Sequence, residues 1–244
     1  MFEEPYRWVE AVSNRREYLE EQLKSGSPVV ALPCREGCVL LSFHAGTQKL
    51  YEIYDRIALG ALGHPADVER LRNVILDMAH VEGFNRSPAD VTARRLLQFG
   101  LAPMIKQAFE EITHAPFIIR LLIAELGPSV KRTFYTLNYD GVFKEAPRGA
   151  VLAPSEEAAA RADSALNEIP EPGDRPFLEV AKDALKIWGI GETPKKYLKT
   201  HLEKTLKSRT IEAVLLSPEI PGPSKYRVFN ADEIAAFTHE WRRD

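Results

Sequence analysis

Cysteine is scarce in this 244-residue chain: only Cys34 and Cys38 occur, with Arg35-Glu36-Gly37 between them reading as a hairpin turn. A zinc site needs further ligands close by, and His44 alone does not complete a set, so two reduced thiols are expected. The six histidines are scattered, and His44, His80, His114, His201 and His239 offer no pair at metal-binding helical spacing with a carboxylate partner. No metal and no cofactor is expected. Long hydrophobic runs are missing too. The longest, residues 117–126, is broken by Arg120 and Glu125 and falls short of the roughly 20 apolar residues that span a bilayer. The acidic start, Met-Phe-Glu-Glu-Pro-Tyr, has no apolar core that could act as a secretory signal. A soluble, cytoplasmic protein without a membrane partner is the expectation. Nor is there an excess of one charge: the net value is −3, and no basic stripe interleaved with aromatics marks a nucleic-acid surface. Gly-x-Ser-x-Gly, His-Glu-x-x-His, P-loop and dinucleotide fingerprints are absent, and Gly189-Ile-Gly191 is a lone glycine pair of no weight. There is no internal repeat and no low-complexity tract.

What is present reads as one globular domain, with 45% hydrophobic and 27% charged residues and enough length to bury a two-layer core without staples. Residues 49–56 alternate apolar and polar from Leu50. Residues 57–64 follow as a buried strand ending in a glycine turn at Gly63-His64. Upstream, Ser13 reads as the N-cap of a helix through Arg15 and Lys24, closed by Gly26. Its apolar stripe, chiefly Leu19 and Leu23, is too narrow for a core helix, which leaves a solvated surface helix or a subunit contact. Residues 28–32 and 38–43 are continuously apolar, as strands buried on both faces are.

The period turns helical over 65–80, with Val68, Leu71, Val74, Ile75 and Met78 on one face. A second helix is expected from the N-cap Ser87, with Pro88 and Asp90 in its first turn and Val91, Leu97, Leu101, Met104, Ile105 and Ile112 as its apolar face. Strands return at 117–125 and 132–138, and Tyr139-Asp140-Gly141 turns the chain into Val142 and Phe143. Helices follow at 155–168 and 177–188, joined by a linker, 169–173, too short to divide domains. Residues 191–209 form a lysine-rich, helical-looking insertion with Leu198, Leu202 and Leu206 four apart. Strands at 210–217 and 226–229 and a last helix capped by Asn230 over 231–241 complete the chain. Grouped rather than alternating elements predict an α+β fold of layered antiparallel sheets flanked by helices, one domain over 1–244.

Residues 27–32 (Ser-Pro-Val-Val-Ala-Leu), 54–56 (Tyr-Asp-Arg), 85–92 (Asn-Arg-Ser-Pro-Ala-Asp-Val-Thr), 123–126 (Ile-Ala-Glu-Leu), 137–141 (Leu-Asn-Tyr-Asp-Gly) and 211–216 (Ile-Glu-Ala-Val-Leu-Leu) resemble, in order and spacing, bacterial proteasome α-type subunits. The resemblance covers nearly the whole chain and is weakest over the first dozen residues and over the variable insertion 191–209. It implies a four-layer αββα sandwich of the N-terminal-nucleophile hydrolase fold. It also implies a heptameric ring of copies, with residues 13–25 as the ring-contact helix through Tyr18, Leu19 and Leu23. The implied partners are a catalytic β subunit, a regulatory ATPase or other activator C-terminal tail, and unfolded protein substrate.

Catalysis on that fold needs a nucleophile whose own α-amino group is the base, with a lysine close by. Ser27 falls at the nucleophile's place and Lys49 at the lysine's, but Pro28 follows Ser27, a helix precedes it, and Phe43 stands where active members have an acid. The resemblance therefore implies a non-catalytic subunit. In such subunits the lysine at the Lys49 position pairs with the carboxylate of an activator tail beside a glycine loop, which points to Lys49, Gly63 and His64. His64 departs from the apolar residue often found there. Two alternatives stay open: an active proteasome-like hydrolase using Ser27 and Lys49, and a non-proteasomal interaction protein of the same fold.

Overall fold

The computed structural model describes residues 5–111, 113–127 and 131–243. Ile112, assigned above to a helix face, and the first four residues of the acidic start lie outside them. In chain order the elements are α1 (Pro5–Leu23), β1 (Val29–Cys34), β2 (Gly37–His44), β3 (Leu50–Tyr54), β4 (Ile57–Gly63), α2 (Pro65–Asn85), α3 (Ala93–Leu96) and α4 (Ala102–Glu110). Then come β5 (Ile119–Leu126), β6 (Arg132–Asn138), β7 (Phe143–Glu145), β8 (Ala150–Leu152), α5 (Glu156–Glu168), α6 (Phe177–Glu192), α7 (Leu198–Ser208), β9 (Thr210–Leu216), β10 (Tyr226–Val228) and α8 (Ala231–Arg243).

Two antiparallel sheets form, ordered β10-β9-β2-β1-β8 and β3-β4-β5-β6-β7. Alternation along each strand divides the core into three layers. Val30, Leu32, Val39, Leu41 and Phe43 face outward onto α5, α6 and α7. Val29, Ala31, Cys38 and Leu40 face inward onto Ala58, Leu62, Leu122 and Ala124 of the other sheet. The opposite parity of that sheet, Ile57, Leu59, Leu121 and Ile123, packs on α2, α3 and α4. Both faces of the central strands are therefore covered, which is why their sequences are continuously apolar. The result is the expected four-layer α+β sandwich.

Some boundaries differ from the sequence reading. Helix α1 is already formed at Pro5, the first described residue, well ahead of Ser13. Leu19 and Leu23 are 0% and 1% exposed and belong to the inter-sheet core, so they close one end of the sandwich and are not available to a neighbour. A narrow stripe suffices because the helix covers an edge, and polar bonds do the rest. Glu20 receives the Tyr139 hydroxyl at 2.8 Å and pairs with Arg120, while Arg15 binds the Phe109 and Glu111 carbonyls at 3.2 and 2.8 Å.

Ser87 caps only a 3-10 turn, Pro88–Asp90, and Thr92 caps α3 through the Arg95 amide. A π-helical segment, Leu97–Leu101, joins α3 to α4 where Pro103 has no N–H for the carbonyl four residues back. The insertion is folded as well: after a 3-10 turn, Lys195–Tyr197, helix α7 packs on α6, with Leu202 buried and Leu198 and Leu206 partly so. The discounted Gly189 permits this, since a Cβ there would stand 2.4 Å from Leu198 Cδ1.

Candidate docking cavity at Lys49

Where the two sheets meet at the starts of β1 and β3, a cavity of about 300 Å³ opens, lined by Ser25, Ser27, His44, Lys49, Gly63 and Arg209 among others. Its back wall is rigid. The carbonyl of Pro28 receives both the Ser42 hydroxyl at 2.7 Å and the Trp188 indole N–H at 2.9 Å. Trp188 also lies 4.3 Å, ring to ring, from the fully buried Phe43. The position where an active member would hold an acid therefore carries an apolar ring committed to the helix-side core.

Lys49 is mostly buried, and its ammonium donates to the Ser27 carbonyl at 2.8 Å. Burial lowers its pKa to about 8; the negative field of Glu192 opposes that shift, Arg209 adds to it, and Glu212 opposes it again. Glu212 fixes the backbone at the start of β3, receiving the Lys49 and Leu50 amides at 2.9 and 3.1 Å. Burial pushes the Glu212 carboxyl upward, and those two amide bonds pull against it. Arg209 is anchored from behind by Glu192 at 3.2 Å, whose other oxygen lies 3.5 Å from His201 Nε2 on α7.

Lys49 and Gly63 thus line one cavity. Gly63 has φ +145°, and a Cβ there would stand 2.0 Å from the Ile118 carbonyl oxygen, so glycine is required. His64 is placed otherwise: its Nδ1 receives the Ala66 amide at 3.3 Å and caps α2. It is not among the residues lining the cavity. Ser27 is buried, and its hydroxyl has no hydrogen-bond partner among the described residues. What Lys49 reaches is the Ser27 carbonyl, not that hydroxyl. Tyr18, half exposed, is the one member of the expected ring-contact trio on the surface.

Arg209 and Glu212 escaped the sequence reading. Glu212 left a signal, a lone acid inside the apolar run 210–217, which marks a buried carboxylate needing donors. Arg209 left none, since only the return of α7 into β9 brings it to Lys49. The two cysteines lie buried at facing ends of the β1–β2 hairpin, unbridged, and burial pushes the Cys34 thiol up to about 12.

No family model matches the chain. Curated proteins do. It is 29% identical to the proteasome subunit alpha of Actinosynnema mirum over 211 residues, which cover 85% of this chain and 77% of that protein. Over 225 residues it is 27% identical to the proteasome subunit alpha of Mycobacterium sp. (strain KMS), covering 90% and 85%. The proteasome subunit alpha of Pseudarthrobacter chlorophenolicus shares 28% identity over 235 residues, covering 92% and 94%. Over most of its length, then, the chain is similar to proteasome α subunits, and its two-sheet sandwich agrees with that similarity.

Proposed function

We propose that the chain is a non-catalytic α-type ring subunit of a proteasome core particle, with the Lys49 cavity as the docking point for the C-terminal tail of a regulatory ATPase or other activator. One observation supports this above the others. A desolvated ammonium whose one hydrogen-bond partner among the described residues is a carbonyl lies in an open cavity beside a backbone stripped of side chain at Gly63. Glu192 and Glu212 act on it only through their field, no carboxylate pairs with it directly among the described residues, and a terminal carboxylate would supply that contact. Arg209 adds a second cation.

Two exposed apolar surfaces suit a subunit with neighbours on more than one side. Trp8, Val9 and Tyr18 on α1 are assigned to the ring contact. Val81 and Phe84 on α2, with Phe99 on the π-helical segment, are assigned to the β subunit; Arg95 ties them together by bonding Glu82 and covering Phe99. In this reading the ring forms the gate through which unfolded substrate passes to threonine catalysis in the β partner, in the cytoplasm.

Native mass spectrometry of the chain, alone and with a β partner, tests the assembly; a seven-fold mass is expected, and a monomer under both conditions overturns it. The active-hydrolase reading rests on Ser27 and Lys49 being adjacent. It requires cleavage before Ser27, so intact mass decides: an uncut chain without peptidase activity is expected, and a chain beginning at Ser27 that loses hydrolysis on Ser27→Ala reverses the assignment.

A further inference from the structure

A second concavity, about 480 Å³, lies between α6 and α7, and its lining is almost wholly cationic. Lys182 and Lys186 come from α6, Lys195 and Lys196 from the 3-10 turn, Lys199 from α7, and Arg175 from the loop ahead of α6. Asp183 is the one acid in that lining, and its carboxylate is taken by Arg175, which also holds Glu179. Lys195 reaches Glu168 at 3.2 Å, outside the groove lining. Lysines distant in sequence converge because Gly189 lets α7 fold back against α6. In a chain of net charge −3, this gathers mutual repulsion on one face, which an anionic occupant relieves.

The cations present select the kind of anion. Phosphate and nucleic acid favour a free guanidinium fork and a stacking ring. Here the guanidinium of Arg175 is committed to two carboxylates, and the ring of Tyr197 is covered by Lys196 Nζ at 4.6 Å. Point-charge ammoniums on flexible stems, with Leu198 as an apolar floor, suit carboxylates spaced along an extended backbone. We propose that the α6–α7 groove binds an acidic, extended peptide segment whose carboxylates lie among Lys186, Lys195, Lys196 and Lys199. This is a site separate from the Lys49 cavity and does not rest on its assignment.

Fluorescence anisotropy of the full chain with labelled hexaglutamate tests it. Binding is expected at low salt, with steep loss as ionic strength rises. Lys186→Gln with Lys199→Gln should weaken it about tenfold, whereas Lys204→Gln with Lys207→Gln, the same charge change outside the groove lining, should alter it less than about twofold. Inorganic polyphosphate of equal charge should bind more weakly than the peptide. Absence of peptide binding at low salt, equal weakening by both variant pairs, or tighter binding of polyphosphate each overturns the proposal. Carbodiimide cross-linking of the bound peptide to wild-type chain guards against a misfolded variant: adducts are expected on the groove lysines, and adducts confined to other lysines reject the site.

Discussion

The Lys49 cavity and the α6–α7 groove treat lysine in opposite ways. The first holds one ammonium, mostly buried, aimed by a single carbonyl and with its pKa brought down to about 8 by burial. The second collects five lysines, four of them on exposed residues. A desolvated charge recognises one carboxylate at one place, because its strength depends on geometry and is little screened by salt. Hydrated lysines on a surface add many weak attractions, each salt-sensitive and tolerant of register. One region is built for an end group, the other for a stretch of chain.

The change expected to blur this contrast most is Trp188→Ala, because that ring holds the cavity wall at Pro28 and stacks on His201 of α7. Loss of a fully buried tryptophan should cost about 4 kcal/mol and abolish tail and peptide binding together. Urea unfolding measures the first effect, and an unchanged midpoint would mean that the two regions share no wall. Gly63→Ala comes next, at on the order of 3 kcal/mol, since the new Cβ collides with the Ile118 carbonyl in a backbone conformation that resists side chains. It should damage the cavity while the groove, on the other sheet's helices, still binds peptide.

Lys49→Ala sharpens the comparison without disturbing the fold. Breaking a partly desolvated charge pair costs on the order of 2–5 kcal/mol, so affinity for an activator-tail peptide should fall more than tenfold with assembly intact. A tail peptide with an amidated C-terminus should bind wild type as poorly, and unchanged affinity in both titrations removes Lys49 from the site. Arg209→Ala should weaken the same tail only a few-fold, since that guanidinium is partly solvated and anchored by Glu192; about threefold is expected from calorimetric titration.

A different readout of the same contrast is stability against pH. The folded pKa of Lys49, about 8, lies below the ordinary lysine value of 10.5, so between these values the unfolded chain binds more protons and stability rises with pH. Wild type should therefore gain on Lys49→Met as pH goes from about 8 to 10 in urea titrations. Equal slopes would show that the ammonium is not desolvated. Tail binding should decline over the same interval, while the groove, with exposed lysines, keeps its peptide.

Much of the fold was legible because each signal was local. Strands covered on both faces show as unbroken apolar runs, as in Val29–Cys34, and Asn230 caps α8 as read. Misreadings arose where distant parts decide. Leu19 and Leu23 looked too few to matter, yet they plug the end of a gap that two sheets create. Ser87 looked like the start of a long helix, but Glu125 on β5 takes the Ala93 amide at 3.0 Å and helps to anchor that start beside Thr92. In the candidate cavity, Lys49 and Gly63 came from the family resemblance. Arg209 and the Glu212 clamp exist only through the pairing of β2 with β9 and the return of α7.

The junction between α1 and β1 has a consequence for cutting rather than for binding. Two successive carbonyls there are held by three donors, Ser27 by Lys49 and Pro28 by Ser42 and Trp188. A protease must draw several residues of a substrate into its own cleft as an extended strand, and this stretch cannot leave the wall without releasing a buried indole, a buried hydroxyl and the ammonium's bond to the Ser27 carbonyl. Trimming of the leading helix from the folded chain should therefore proceed only as fast as the domain opens as a whole. The helix is retained by the same clamp that shapes the cavity.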